Sequence, residues 1–196
     1  MTSLFHLFTY VLLLFNFSAA PESKPSVAVP EKKIHPVEET EEYISWSAMR
    51  KLNWEDFRCE PKRNTDAVAL TSTALGITYR MSNGELDYEI TCSFSKIKSW
   101  GILKTPYILA HEQGHFDITE IFARKLHQEL LDYKFNRRTY RQDVNNIYDR
   151  VVKAKEAFQK AYDGETDHSR NKTVQKEWEE RIAKVLDETI PFNEYP

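Results

Sequence analysis

Apolar and polar residues alternate along residues 75–92, and the alternation mirrors itself about Asn83-Gly84. An Asn-Gly pair suits a two-residue type I′ turn, because both central positions need positive φ. Counting outward from Ser82 and Glu85 pairs Met81 with Leu86, Tyr79 with Tyr88, Ile77 with Ile90, Leu75 with Cys92 and Thr73 with Phe94. That face is apolar almost throughout. The other face pairs Arg80 with Asp87 and Thr78 with Glu89. A slip of one residue would turn every apolar side chain to the wrong face, so turn and pattern together specify the register. The first strand is expected to begin near Val68.

From Thr105 the period changes to that of a helix. Thr105 is placed to cap and Pro106 fits the first helical position. Apolar residues at 108, 109, 116, 118, 122, 126 and 130 carry the helix to about Tyr133. Thr139 with Gln142 spells a capping box for a second helix bearing Val144, Ile147, Tyr148, Val151, Phe158 and Ala161. It is expected to end near Tyr162, with Gly164 just beyond. Val174, Trp178, Ile182 and Val185 mark a third helix over about residues 172–186. Upstream of the hairpin, residues 44–57 read as a short strand followed by an irregular or short helical piece. The fold class is therefore α+β: an N-terminal antiparallel region with a hairpin, then three helices.

The N-terminus has another pattern. Residues 4–17 are almost wholly apolar, too few for a comfortable membrane span. Ser18, Ala19 and Ala20 follow, and small residues there suit signal cleavage after Ala20. An uncleaved anchor is the alternative. Residues 21–42 contain Pro21, Pro25, Pro30 and Pro36 among many charges and read as a flexible leader. The expected organisation is a signal peptide at 1–20, a leader at 21–42 and one domain at 43–190. The chain is expected to be secreted or held in the periplasm or cell envelope, with no stable membrane span after cleavage. In such a compartment Cys59 and Cys92 can form one disulfide or remain two thiols.

Composition narrows the functional classes. The net charge of −3 mixes acids and bases and leaves no basic footprint for nucleic acid. With 41% hydrophobic and 13% aromatic residues, a chain of 196 residues can build one core.

The candidate chemistry lies in YILAHEQGHFDITEIFARKL, residues 107–126. On a helix His111 and His115 are one turn apart and within about 40° of each other. Both imidazoles can reach one tetrahedral Zn²⁺, and Glu112 can reach a water on that ion. Such a water is acidic near neutral pH, and the carboxylate can take its proton during attack on a carbonyl. The plain alternative is two histidines on a structural helix. A third ligand is required. Glu120 is rotated about 180° from His111 and faces away, where it reads as a surface or buried structural carboxylate. Ile118 stands where a glycine would turn the chain back to a nearby third histidine, so that layout does not apply. His127 is expected on the surface. His168 remains, in a polar turn AYDGETDHSRN that also offers Asp163, Glu165 and Asp167; Glu156 on the second helix is a further alternative. Tyr162 or Thr166 is placed to stabilise an oxyanion or orient a ligand.

The pieces LNWEDF (52–57), ALTSTALGITY (69–79), SW (99–100), LAHEQGHFDI (109–118), YDGETDHS (162–169) and QKEWEERI (175–182) resemble the domain-of-unknown-function 922 family. Its members are bacterial proteins regarded as secreted zinc-dependent proteases of the H-E-x-x-H type. The family pattern Y-D-x-x-T-x-H-G falls on Tyr162–Ser169, with Ser169 in place of glycine. The resemblance implies His111, His115 and His168 as ligands of Zn²⁺, Glu112 as general base and a peptide or protein as substrate. Two other readings stand beside it: a non-catalytic cell-envelope binding module with a structural or vestigial zinc site, and a zinc amidase acting on cell-wall peptides.

Overall fold

A computed structural model describes residues 39–62 and 65–196. The expected signal segment, and the expected leader as far as residue 38, lie outside them. The described strands are β1 (Tyr43–Ser45), β2 (Ala69–Leu70), β3 (Thr73–Ser82), β4 (Glu85–Ser95) and β5 (Trp100–Gly101). They are followed by helices α1 (Pro106–Asp132), α2 (Tyr140–Thr166) and α3 (Lys172–Glu188). Short 3-10 turns occupy Trp54–Asp56 and Ile190–Phe192. β1, β4 and β3 form one antiparallel sheet in that order, and β2 pairs with β5 in a second. The class is α+β, as the pattern implied.

The hairpin register is the expected one at every rung, from Thr73 opposite Phe94 to Ser82 opposite Glu85. Asn83 and Gly84 both take positive φ, at 52° and 87°. The apolar face of the hairpin supplies Leu75, Ile90, Cys92 and Phe94 to the core. These meet Phe116, Ile121, Phe122 and Leu126 of α1. Thr105 caps α1 by accepting from the Ile108 amide at 3.2 Å. The helix is buried nearly all round, because the sheet, α2 and α3 each cover part of it.

Several expectations shift. The strand expected from Val68 breaks at Thr71–Ser72. The Ser72 amide donates to Ser99 Oγ (2.9 Å) and its carbonyl accepts from the Ser95 amide (2.8 Å), which diverts the chain from one sheet to the other. α2 continues one turn past Tyr162. Gly164 lies inside that turn, and Asp167 takes the left-handed position at the end (φ 49°). Aspartate tolerates that conformation better than most residues. Thr139 makes no capping box; its hydroxyl donates to Asp143 Oδ2 instead (2.6 Å). His127 is buried rather than on the surface, its Nδ1 3.0 Å from the Tyr88 hydroxyl. Cys59 and Cys92 are not joined; Cys92 lies buried against Glu120.

Candidate metal centre

His111, Glu112 and His115 project from the second and third turns of α1 and are shielded by α2 and α3. Close approach of α2 depends on Gly114. A Cβ there would stand 2.5 Å from the Tyr162 hydroxyl oxygen and 2.9 Å from its ring carbon. Tyr162 is fully buried and stacks on the His111 imidazole, with centroids 4.5 Å apart and planes at 22°. Its hydroxyl donates to the His111 carbonyl (3.2 Å) and accepts from Gln175 Nε2 (2.9 Å). Tyr162 therefore orients His111, and its committed hydroxyl is not presented to a substrate. Thr166 is likewise occupied, donating to the Tyr162 carbonyl at 2.7 Å.

The extra turn of α2 brings Asp163 to the two histidines. Asp163 Oδ1 lies 3.2 Å from His111 Nε2 and 3.1 Å from His115 Nε2. Ligand atoms of His111, His115 and Asp163 all fall within 4.8 Å of one another. His168, the third ligand expected from the sequence, sits at the rim with its side chain 66% exposed. Its Nδ1 is 3.7 Å from Asp163 Oδ1. Glu156 is exposed on the wall of the same cavity. Glu120 points the other way and is buried, receiving Arg124 Nε (2.8 Å) and the Tyr195 hydroxyl (2.7 Å). Asp117 ties the N-terminal segment to α1, accepting from Trp46 Nε1 (2.7 Å) and Gln113 Nε2 (2.8 Å).

Two glutamines decide the state of the imidazoles. His111 Nδ1 meets Gln175 Oε1 at 2.8 Å, and His115 Nδ1 meets Gln159 Oε1. The amide orientations follow from their other partners. Gln175 Nε2 donates to Glu179 and to the Tyr162 hydroxyl, both at 2.9 Å; Gln159 Nε2 donates to the His115 carbonyl at 2.8 Å. With each Oε1 as acceptor, each Nδ1 carries a proton, and a neutral ring then keeps a bare lone pair on Nε2. Two such lone pairs and a carboxylate oxygen converge on one point. That arrangement is repulsive without a cation between them, and a divalent ion satisfies it.

The electrostatics agree. Burial opposes a charged His115, yet the bond to Asp163 and the nearby Glu112 carboxylate raise its pKa above the usual imidazole value. Burial also pushes the Asp163 carboxyl up, but the bonds to His111 and His115 outweigh it and hold the group well below the usual carboxylate range. Each anionic or lone-pair donor thus demands positive charge at the same place. Glu112 Oε2 is buried without a hydrogen-bond partner among the described residues. An orphaned buried acceptor costs about 1–3 kcal/mol, and here it borders the centre.

These groups open into a cavity of about 1280 Å³. One wall holds His111, Glu112, His115 and Asp163, and the facing wall is the continuous segment 65–73. The turn after α2 closes one end. Asp167, His168 and Ser169 all have positive φ, and Tyr107 anchors the turn by donating to the Ser169 carbonyl at 2.5 Å.

Sequence reasoning named Asp163 among the carboxylates of the turn after the second helix and did not single out Gln159 or Gln175. A signal for two of these exists, since Gln159 and Asp163 are four apart on the helix that carries Tyr162. No curated protein and no solved structure matches the chain. The family described as "Bacterial protein of unknown function (DUF922)" matches residues 35–169, a span that holds the H-E-x-x-H helix, Gln159, Asp163 and His168. The chain belongs to this DUF922 family.

Proposed function

We propose that the chain is an exported zinc-dependent metallopeptidase. The reading is carried by the convergence of His111 Nε2, His115 Nε2 and Asp163 Oδ1, with both Nδ1 atoms committed to glutamine carbonyls. Two imidazoles and a carboxylate suit Zn²⁺ and leave a fourth position open for chemistry. When bound there, zinc supplies a Lewis acid that polarises a carbonyl and makes a water acidic near neutral pH.

The chain's own residues do the rest. Glu112 Oε2, buried and without a hydrogen-bond partner among the described residues, takes the proton from the attacking water and returns it to the leaving nitrogen. Gln159 and Gln175 keep the imidazoles in one tautomer and one orientation. Tyr162 fixes the His111 ring by stacking on it. The apolar segment at residues 4–17 supports export.

One observation favours a second reading. His168 Nδ1 is close enough to Asp163 to join the same ion after a small side-chain movement. Four protein ligands would close the site and make the zinc structural, as in a non-catalytic binding module.

Zinc content and cleavage of a broad peptide mixture, measured on four proteins, separate these readings. The open-site proposal expects Glu112→Gln to keep zinc and lose turnover, and Asp163→Ala to lose most of its zinc. It expects His168→Ala to retain zinc. Zinc loss in His168→Ala together with an inactive wild type would establish the closed site instead.

A further inference from the structure

The wall lined by residues 65–73 includes β2, and among the described residues β2 is bonded to β5 on one side only. The pairing sets Ala69 opposite Gly101 and Leu70 opposite Trp100, and the Ile102 amide donates to the Val68 carbonyl at 2.7 Å. In an antiparallel pair, hydrogen-bonded and non-bonded positions alternate. The Val68 carbonyl and the backbone groups of Leu70 are therefore spent on the β5 side, and Ser72 spends its own on Ser99 and Ser95. Ala69 and Thr71 turn their N–H and C=O groups the other way.

That other way is the cavity. Residues 65–73 all line it, whereas Trp100 and Gly101 of β5 do not. The Thr71 hydroxyl is buried there without a hydrogen-bond partner among the described residues. The edge is also held at a set place over the centre. Thr73 Oγ1 lies 2.7 Å from Thr119 Oγ1, and Thr119 donates to the His115 carbonyl at 3.0 Å. Strand and zinc-binding helix are thus joined one residue pair away from a proposed ligand.

We infer that residues 67–71 bind an extended polypeptide segment as an added antiparallel or parallel strand, through the backbone groups of Ala69 and Thr71. This rests on the peptidase reading of the site and names its substrate class. The occupant is an unfolded or looped-out stretch of protein, because only a chain with free backbone groups can complete the ladder. A cavity of this size exceeds the usual small-molecule pocket of about 300–1,000 Å³ and accommodates several residues side by side with β2. Hydrogen bonds should fall on alternate residues of the bound segment, those facing Ala69 and Thr71 in an antiparallel pairing and their neighbours in a parallel one, with the residues between pointing their backbone groups outward.

The test uses the full chain with Glu112→Gln, loaded with zinc, so that bound peptide survives. Binders are selected from a random octapeptide library, and amide exchange is followed by NMR with and without the selected peptide. The proposal expects slower exchange at Ala69 and Thr71 in the complex. It also expects each ester-for-amide replacement in the peptide to weaken binding by about three- to tenfold at alternate positions and little between them. Bound peptide with unchanged exchange at both amides overturns the proposal, as does a library that yields no binder. The two readings separate cleanly. Cleavage by the wild type without protection of β2 removes the strand-addition inference and keeps the hydrolase. Protection of β2 without any cleavage does the reverse.

Discussion

Gln175 Oε1 sits 2.8 Å from His111 Nδ1, and the same amide group donates to the hydroxyl of the tyrosine stacked on that ring. One α3 side chain thus sets both the tautomer and the tilt of an α1 histidine. Gln159 does the equivalent for His115 from α2. Replacing either glutamine by leucine should lower zinc affinity by about 10–100-fold. Competition against a chelator of known affinity checks this, with circular dichroism to confirm that the helices remain.

Gly114 and Tyr162 are in contact that leaves no room for a methyl group. Gly114→Ala places a carbon 2.5 Å from a hydroxyl that has nowhere to go, since Tyr162 is fully buried. Alanine is the better helix former by about 1 kcal/mol, but overpacking in a tight core typically costs about 1–3 kcal/mol. The net expectation is destabilisation with weakened zinc binding, because the His111 ring moves with Tyr162. Urea unfolding of Gly114→Ala with and without Tyr162→Phe measures the coupling, and the double variant should recover part of the loss.

The pH dependence of the zinc-free protein follows from Asp163 and His115. The Asp163 pKa is lowered by folding, so its contribution is present above its unfolded value of about 3.9 and is lost as pH falls through the folded value. The His115 pKa is raised, so its contribution is full below about 6.5 and is lost as pH rises through the folded value. The advantage of wild type over Asp163→Asn should therefore be greatest between about pH 4 and 6.5 and shrink above it. With zinc bound the trend above pH 6.5 should reverse, because the metal takes the deprotonated imidazoles. Denaturant melts at pH 5 and pH 8, each with chelator or zinc, give all four comparisons.

Glu120 tests the opposite face of the same helix. It is paired with Arg124 and Tyr195 in the interior and is not among the residues that line the cavity. Glu120→Ala strands a buried guanidinium and should cost about 3–5 kcal/mol, while zinc stoichiometry at low temperature stays unchanged. Loss of zinc from a protein that remains folded would place Glu120 in the metal centre after all.

The hairpin was readable to the last rung because everything that sets it is local. The Asn-Gly turn requires positive φ, and the period-2 pattern permits one register. The start of α1 was readable for a similar reason, as Thr105 and Pro106 act within one turn. The ends of the helices were not. Gly164 looked like a stop, but α2 packs against α1 for another turn, and that packing outweighs a local cost of about 1 kcal/mol. The extra turn is what carries Asp163 to the histidines.

By itself, then, the sequence determined the class, the hairpin and the fact that His111, Glu112 and His115 share one helical face. It also placed Glu120 off that face, since the angle between two residues on a helix is a local property. Only the tertiary structure decided which carboxylate closes on the two imidazoles, which glutamines hold them, and which strand edge lies open across the cavity. These depend on how far α2 and α3 run and at what distance they pack, and on where the chain leaves one sheet for the other. Contacts of that kind join residues 44 to 64 positions apart, and no local pattern encodes them.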